Sequence, residues 1–258
     1  MIATLADALG LVQSALVAGF LVFLRIGAAM ALLPAFGERI VPARVRLVLT
    51  LAFTAVVAPA VTPDVTSIEA GAALSPKVFL AEVVAGLALG IALRLFILAL
   101  QTAGTIAAQA TSLAQLFAGA SVEPQPAISH LLVVAALALA TMAGLHVRLA
   151  EFLVLSYDLF PAGRLPSPEA LGAWGVERTA QAFALAFVLS APFVIASLIY
   201  NLALGVINRA MPQLMVAFVG APAITLGALG LLLVGAPLIL AEWHRRLLLF
   251  VLNPSGGG

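Results

Sequence analysis

The chain has no cysteine, which excludes disulfides and thiolate metal sites. Charge is nearly as scarce: Asp, Glu, Lys and Arg make up 9% of 258 residues, against about 25% in an ordinary soluble domain. The net charge of +1 leaves no electrostatic footprint for nucleic acid. The sequence also lacks a G-x-x-x-x-G-K-[ST] phosphate loop, an H-E-x-x-H zinc pair and a G-x-S-x-G elbow. Its three histidines, His130, His146 and His244, do not stand at metal-ligand spacing. No catalytic residue, cofactor or metal is therefore expected. Met1 to Gly10 carry Asp7 but no Lys or Arg. Without the basic region of a cleavable signal peptide, the first apolar segment is expected to stay in the mature protein.

What the chain does have is apolar length, with 64% of its residues hydrophobic. About 20 apolar residues at ~1.5 Å rise span ~30 Å of hydrocarbon. Six segments reach or approach that length: 9–33, 45–61, 78–100, 128–147, 179–208 and 210–241. They are Leu- and Ala-rich and too long for strands. A backbone facing lipid must also satisfy its own hydrogen bonds. An all-α, multi-span membrane protein is the expected fold class. The last two segments carry no charged side chain and meet at Asn208-Arg209-Ala210-Met211-Pro212-Gln213, a break short enough to reverse the chain into a helical hairpin. The most polar loop is expected at 148–178, and a basic, Gly-ended tail at 242–258.

Four ionisable residues lie within or between the apolar runs: Arg25, Glu82, Arg94 and Arg209. Charges at bilayer depth face protein or water rather than lipid. They mark either a transport path or ion pairing between helices of an assembly. Glu82 and Arg94 are twelve positions apart, ~18 Å along a helix, so each needs a partner elsewhere in the chain or on another subunit. Gly86 and Gly90 form a GxxxG that would let two helix backbones approach closely. The stretch from Gln109 to Pro124 is too polar for a lipid-facing helix and too apolar for a solvated loop. It reads equally as a constriction loop or as a re-entrant connector. Four cations on one side of six spans, against six on the other, set no orientation by the positive-inside rule.

An ordered set of short stretches resembles one family along nearly the whole chain. They are Arg25-Ile26-Gly27 with Pro34-Ala35-Phe36-Gly37, Val41-Pro42 and Arg44-Val45-Arg46, then Glu82 with Gly86 and Gly90. Gln101-Thr102-Ala103-Gly104, Gln109 and Glu123-Pro124 follow. Leu145-His146, Ser156-Tyr157, Pro161-Ala162-Gly163 and the break at 208–213 complete the set. Together they resemble the FliR/SctT family of type III export-gate proteins, flagellar or injectisome. Glu123 stands where that family more often has Asp, and Met215 where it often has a small polar residue.

The resemblance implies a non-catalytic core subunit of a protein export gate in the bacterial inner membrane, at the flagellar basal body. Unfolded flagellar subunits would leave the cytoplasm through that gate. It implies a FliP-like helical part over 1–170, a FliQ-like hairpin over 171–245 and a flexible tail over 246–258. FliP-like and FliQ-like gate subunits would be its neighbours, with FlhA-like and FlhB-like export proteins beyond them. A plug loop is implied near 113–124, carried by Leu113, Leu116, Phe117, Gly119, Glu123 and Pro124. Subunit contacts are expected at Arg25, Glu82, Arg94, Asn208, Arg209, Pro212 and Gln213. An injectisome gate subunit is the alternative. A small-molecule secondary transporter would instead show an internal repeat with broken helices in both halves, and the segments before and after residue 150 differ in polarity and spacing.

Overall fold

The computed structural model describes residues 2–38, 41–66, 68, 73–111, 127–211 and 216–254. All regular structure among them is helical: α1 (Ile2–Met30), α2 (Ala43–Thr66), α3 (Pro76–Thr111), α4 (Ala127–Met142), α5 (Leu145–Leu159), α6 (Pro168–Ala210) and α7 (Val216–Leu252). Five of these, α1, α2, α3, α6 and α7, are long and apolar enough to cross a membrane, and α4 with α5 makes a sixth if that bent pair is one span. The chain is a multi-span helical membrane protein.

The helices use local devices suited to an apolar setting. Pro59 and Pro63 lie inside α2, and each removes a backbone donor. Along the same helix the hydroxyls of Thr50, Thr54, Thr62 and Thr66 each donate to the carbonyl four residues back. Those hydroxyls need no outside partner.

Between α4 and α5 the axis turns by 79°. Gly144 makes the turn at φ +81, a conformation that glycine adopts without penalty. The apolar segment expected over 128–147 is therefore broken here. The expected loop over 148–178 begins instead with α5, and only Phe160 to Ser167 connect α5 to α6. Helix α7 likewise continues past Arg246 to Leu252, through the first part of the expected tail.

The described chain forms two compact units, each drawing on residues from both sides of position 170. The first comprises 1–95, 141–179 and 247–258. Its core holds Leu21, Val22, Ile26 and Met30 of α1, Ala81, Ala85, Leu89 and Leu93 of α3, and Leu149, Phe152 and Leu153 of α5. The Phe152 ring meets Phe250, centroids 5.5 Å apart. Gly86 and Gly90 face α1 at backbone distance: a Cβ on Gly86 would overlap the Arg25 carbonyl oxygen, and one on Gly90 would lie 2.9 Å from the Ala29 oxygen.

The second unit comprises 96–140 and 180–246. In it Gly104 packs on the Ser129 backbone, the Ser129 hydroxyl donates to Gln101 O at 3.2 Å, and Trp243 Nε1 donates to Phe96 O at 2.9 Å. The Ser197 hydroxyl donates to Ala110 O.

Close approach matters more here than apolar area. Lipid tails are as apolar as leucine, so burial alone does not drive one membrane helix onto another. Gly86→Ala should force α1 and α3 apart. The expected loss is about 1–3 kcal/mol from overpacking, or roughly 2–10 °C in Tm. Gly175→Ala, at a glycine with open space around it, should leave Tm unchanged or raise it. Thermal unfolding of the two variants in one detergent makes the comparison, and equal shifts would contradict the close contact.

Candidate functional site

Arg25 on α1 and Glu82 on α3 are the most deeply buried charged residues described in the first unit. Arg25 Nε donates to Glu82 Oε2 at 2.6 Å and Nη2 to Glu82 Oε1 at 3.2 Å. Each side chain is 1% exposed. This is the fork-to-fork geometry that makes arginine the preferred cation for a carboxylate. Arg25 sits one turn before Ala29, on the face of α1 that Gly86 and Gly90 approach. The glycines thus bring the backbones close enough for the two side chains to meet.

The pair also grips the turn that follows α5. Arg25 Nη2 donates to Phe160 O at 2.9 Å, and the Gly163 N–H donates to Glu82 Oε1 at 2.8 Å. In a simple β-turn a carbonyl and the amide three residues on would bond each other. Here the cation takes the carbonyl and the anion takes the amide. Arg25 Nη1 reaches Ser156 O and Oγ at 3.4 Å, and the guanidinium carbon lies 3.6 Å from the centre of the Tyr157 ring. Gly163 is at φ +65, and a Cβ there would lie 2.8 Å from Ile68 Cδ1. The backbone conformation therefore favours glycine, while a Cβ would also require the Ile68 side chain to shift. Among the described residues the buried Tyr157 hydroxyl has no hydrogen-bond partner.

The Arg25 guanidinium keeps its proton whatever its surroundings, and the pair it forms with Glu82 fixes the shape of this region. Two charges withdrawn from water carry a large desolvation penalty, met here by the ion pair, four further hydrogen bonds and an aromatic face.

The other expected contact residues are scattered. Arg94 pairs with Glu38, at 30% and 28% side-chain exposure. Asn208 and Arg209 are exposed at the end of α6, and no described carboxylate pairs with Arg209. Pro212, Gln213 and the plug residues Leu113, Leu116, Phe117, Gly119, Glu123 and Pro124 lie outside the described residues. Arg25 and Glu82, expected at subunit contacts, are turned wholly inward. Sequence reasoning assigned no role to Glu38, Ser156, Phe160, Tyr157 or Gly163. Ser156-Tyr157 and Pro161-Ala162-Gly163 stood out as motifs, but nothing local named the guanidinium they meet.

Removing one partner should be worse than removing both. Arg25→Met or Glu82→Leu alone strands a buried charge and should cost about 3–5 kcal/mol. The double variant should recover much of that loss in thermal unfolding, while amide exchange at Gly163, which loses its Glu82 acceptor, becomes faster than in the wild type. Strictly additive losses would mean that the two residues act independently.

The sequence model of one family, bacterial export proteins, family 1, matches residues 16–249. The flagellar biosynthetic protein FliR of Caulobacter vibrioides is 34% identical over 233 residues, 88% of this chain and 93% of that protein. The FliR of Escherichia coli K12 is 28% identical over 218 residues, 84% of this chain and 83% of its own. That of Bacillus subtilis 168 is 29% identical over 212 residues, 78% and 79%. The match spans all but the two ends of a chain whose described structure is wholly helical, and the chain therefore belongs to the bacterial export proteins of family 1, the FliR/SctT family.

Proposed function

We propose that the chain is a non-catalytic core subunit of the flagellar type III export gate, passing unfolded flagellar subunits across the bacterial inner membrane during flagellum assembly. The observation that carries this reading is the near full-length match to a flagellar FliR, which spans both units. The three relatives all bear flagellar names, which favours a flagellar over an injectisome gate. The structure contributes a physical argument. Leu198, Leu202, Leu233, Val234 and Leu238 are each 69–79% exposed on the second unit. So much apolar surface suits a subunit packed on siblings as well as on lipid.

In this reading FliP-like and FliQ-like subunits cover α6 and α7, FlhA-like and FlhB-like proteins act at the gate, and energy enters through partner proteins. Arg209 and Gln213, at the hairpin break, would dock on a neighbouring subunit. Leu116 and Phe117, beside the small residues Ala118-Gly119-Ala120, would obstruct the resting channel.

Co-purification tests the reading as a whole. Tagged chain should bring down FliP-like and FliQ-like proteins in a stable complex, and a chain purified alone from cells that make them would defeat it. Arg209→Ala should weaken that complex on native gels and reduce motility, and unchanged complexes with normal motility would rule out the docking role. Deleting residues 115–120 should leave the gate assembled but leaky to small ions, and a conductance assay with no added leak would remove the plug assignment.

A further inference from the structure

The start of α2 sets charge and apolar surface in a register that the gate reading does not use. Arg46 donates Nη2 to the carbonyls of Glu38 and Val41 at 3.2 and 3.4 Å. Glu38 in turn accepts from Arg94. Arg44, two residues before Arg46, is exposed, and no described carboxylate pairs with it. Among the described residues, the guanidiniums of Arg44, Arg46 and Arg94 thus stand at one end of the first unit with the Glu38 carboxylate, and arginine stays charged whatever its surroundings.

An apolar stripe begins at Arg44. Leu47, Val48 and Leu51, at i+3, i+4 and i+7, are 51%, 64% and 53% exposed. Ala55 continues the same face and is also exposed. From Arg44 to Ala55 the helix rises ~16 Å, close to half of the ~30 Å hydrocarbon thickness of a bilayer. Helix α2 is also the least buried of the five candidate spans.

Charge complementarity decides the occupant. An acidic protein surface would match the guanidiniums and leave the stripe unmatched. An apolar partner helix would match the stripe and leave the guanidiniums unpaired. An anionic phospholipid offers both, a phosphate followed by one leaflet's depth of acyl chain. We propose that this corner of the protein binds an anionic phospholipid. The headgroup phosphate sits at Arg44, supported by the positive field of Arg46 and Arg94, and the acyl chains lie along Leu47, Val48, Leu51 and Ala55. An exposed arginine heading an apolar helix face is the usual snorkelling anchor at a membrane surface.

The test uses the full chain, purified alone in an uncharged detergent, so its outcome does not depend on the gate reading. Native mass spectrometry follows retention of dioleoyl phosphatidylglycerol, dioleoyl phosphatidylcholine and inorganic phosphate. The wild type should retain phosphatidylglycerol over phosphatidylcholine. Arg44→Ala should bind phosphatidylglycerol about fivefold more weakly, and Arg44→Lys should bind it nearly as well as wild type. Equal retention of the two lipids overturns the proposal, as does unchanged binding in Arg44→Ala. Full displacement by inorganic phosphate would show that the acyl chains are not recognised and overturns it too.

Discussion

The bidentate contact between Arg25 and Glu82 is the constraint on which the first unit depends. Neither side chain can leave the core without exposing the other as an unpaired charge, and neither can be approached by water at 1% exposure. The pair therefore fixes three things at once. It sets the rotation of α1 against α3. It keeps Gly86 and Gly90 at the contact, where only glycine allows the backbones to approach. It also dictates the path of the chain out of α5, because Phe160 and Gly163 spend their polar groups on the pair instead of on each other. A hydrophobic replacement could match its volume, but it could not specify that turn. Buried polar groups are not in general required for stability, and this pair contributes chiefly a unique arrangement.

The second unit solves the same problem with almost no charge. Its stretch of α6 from Ala180 to Asn208 has none. Its helices are held by small residues and by hydroxyl or indole groups that donate to backbone carbonyls: Ser129 to Gln101, Ser197 to Ala110 and Trp243 to Phe96. Each of these donors reaches a carbonyl of α3, a helix that contributes to both units. Such bonds are individually modest, at most about 1–2 kcal/mol between membrane helices. Among the described residues the ionic contacts of this unit gather on a single turn of α7, where Glu242 accepts from Arg245 and Arg246.

Much of this organisation is legible in the residues themselves. Long Leu- and Ala-rich runs permit only helices, and the break after Asn208 separates α6 from α7. Gly86 and Gly90 announce a close contact without naming α1 as its other side. The hidden parts have a common physical cause. Helix α5 was masked by Arg148, Glu151 and Asp158, which interrupt its apolar run. In the structure Arg148 and Glu151 pair with each other, 45% exposed, while Leu149, Phe152 and Leu153 fill the core. Amphipathic helices of this kind look like loops to a reader who weighs hydropathy alone. The partners of Arg25 were hidden for a different reason: they lie 57, 131 and 135 positions away. A single chain displays its charges, and only the fold displays how they pair.

The contrast between the units bears on how neighbours could recognise the chain if it is the gate subunit proposed above. An uncharged helical face such as that of α6 offers shape and dispersion but no electrostatic register, so a partner helix could slide or rotate along it at little penalty. Register must then come from polar groups at the ends of the apolar stretch. On α6 the described candidates are Asn208 and Arg209, exposed at its last turn with no described carboxylate paired to the arginine. A cation at a helix C-terminus is already stabilised by the helix's own carbonyls. It can therefore stay ordered while it waits for a carboxylate from outside. Arg25 and Glu82 have the opposite economy, since their charges are used up inside the chain. The inward pair gives the first unit its shape, and in the proposed reading the outward arginine would be left to choose the neighbour.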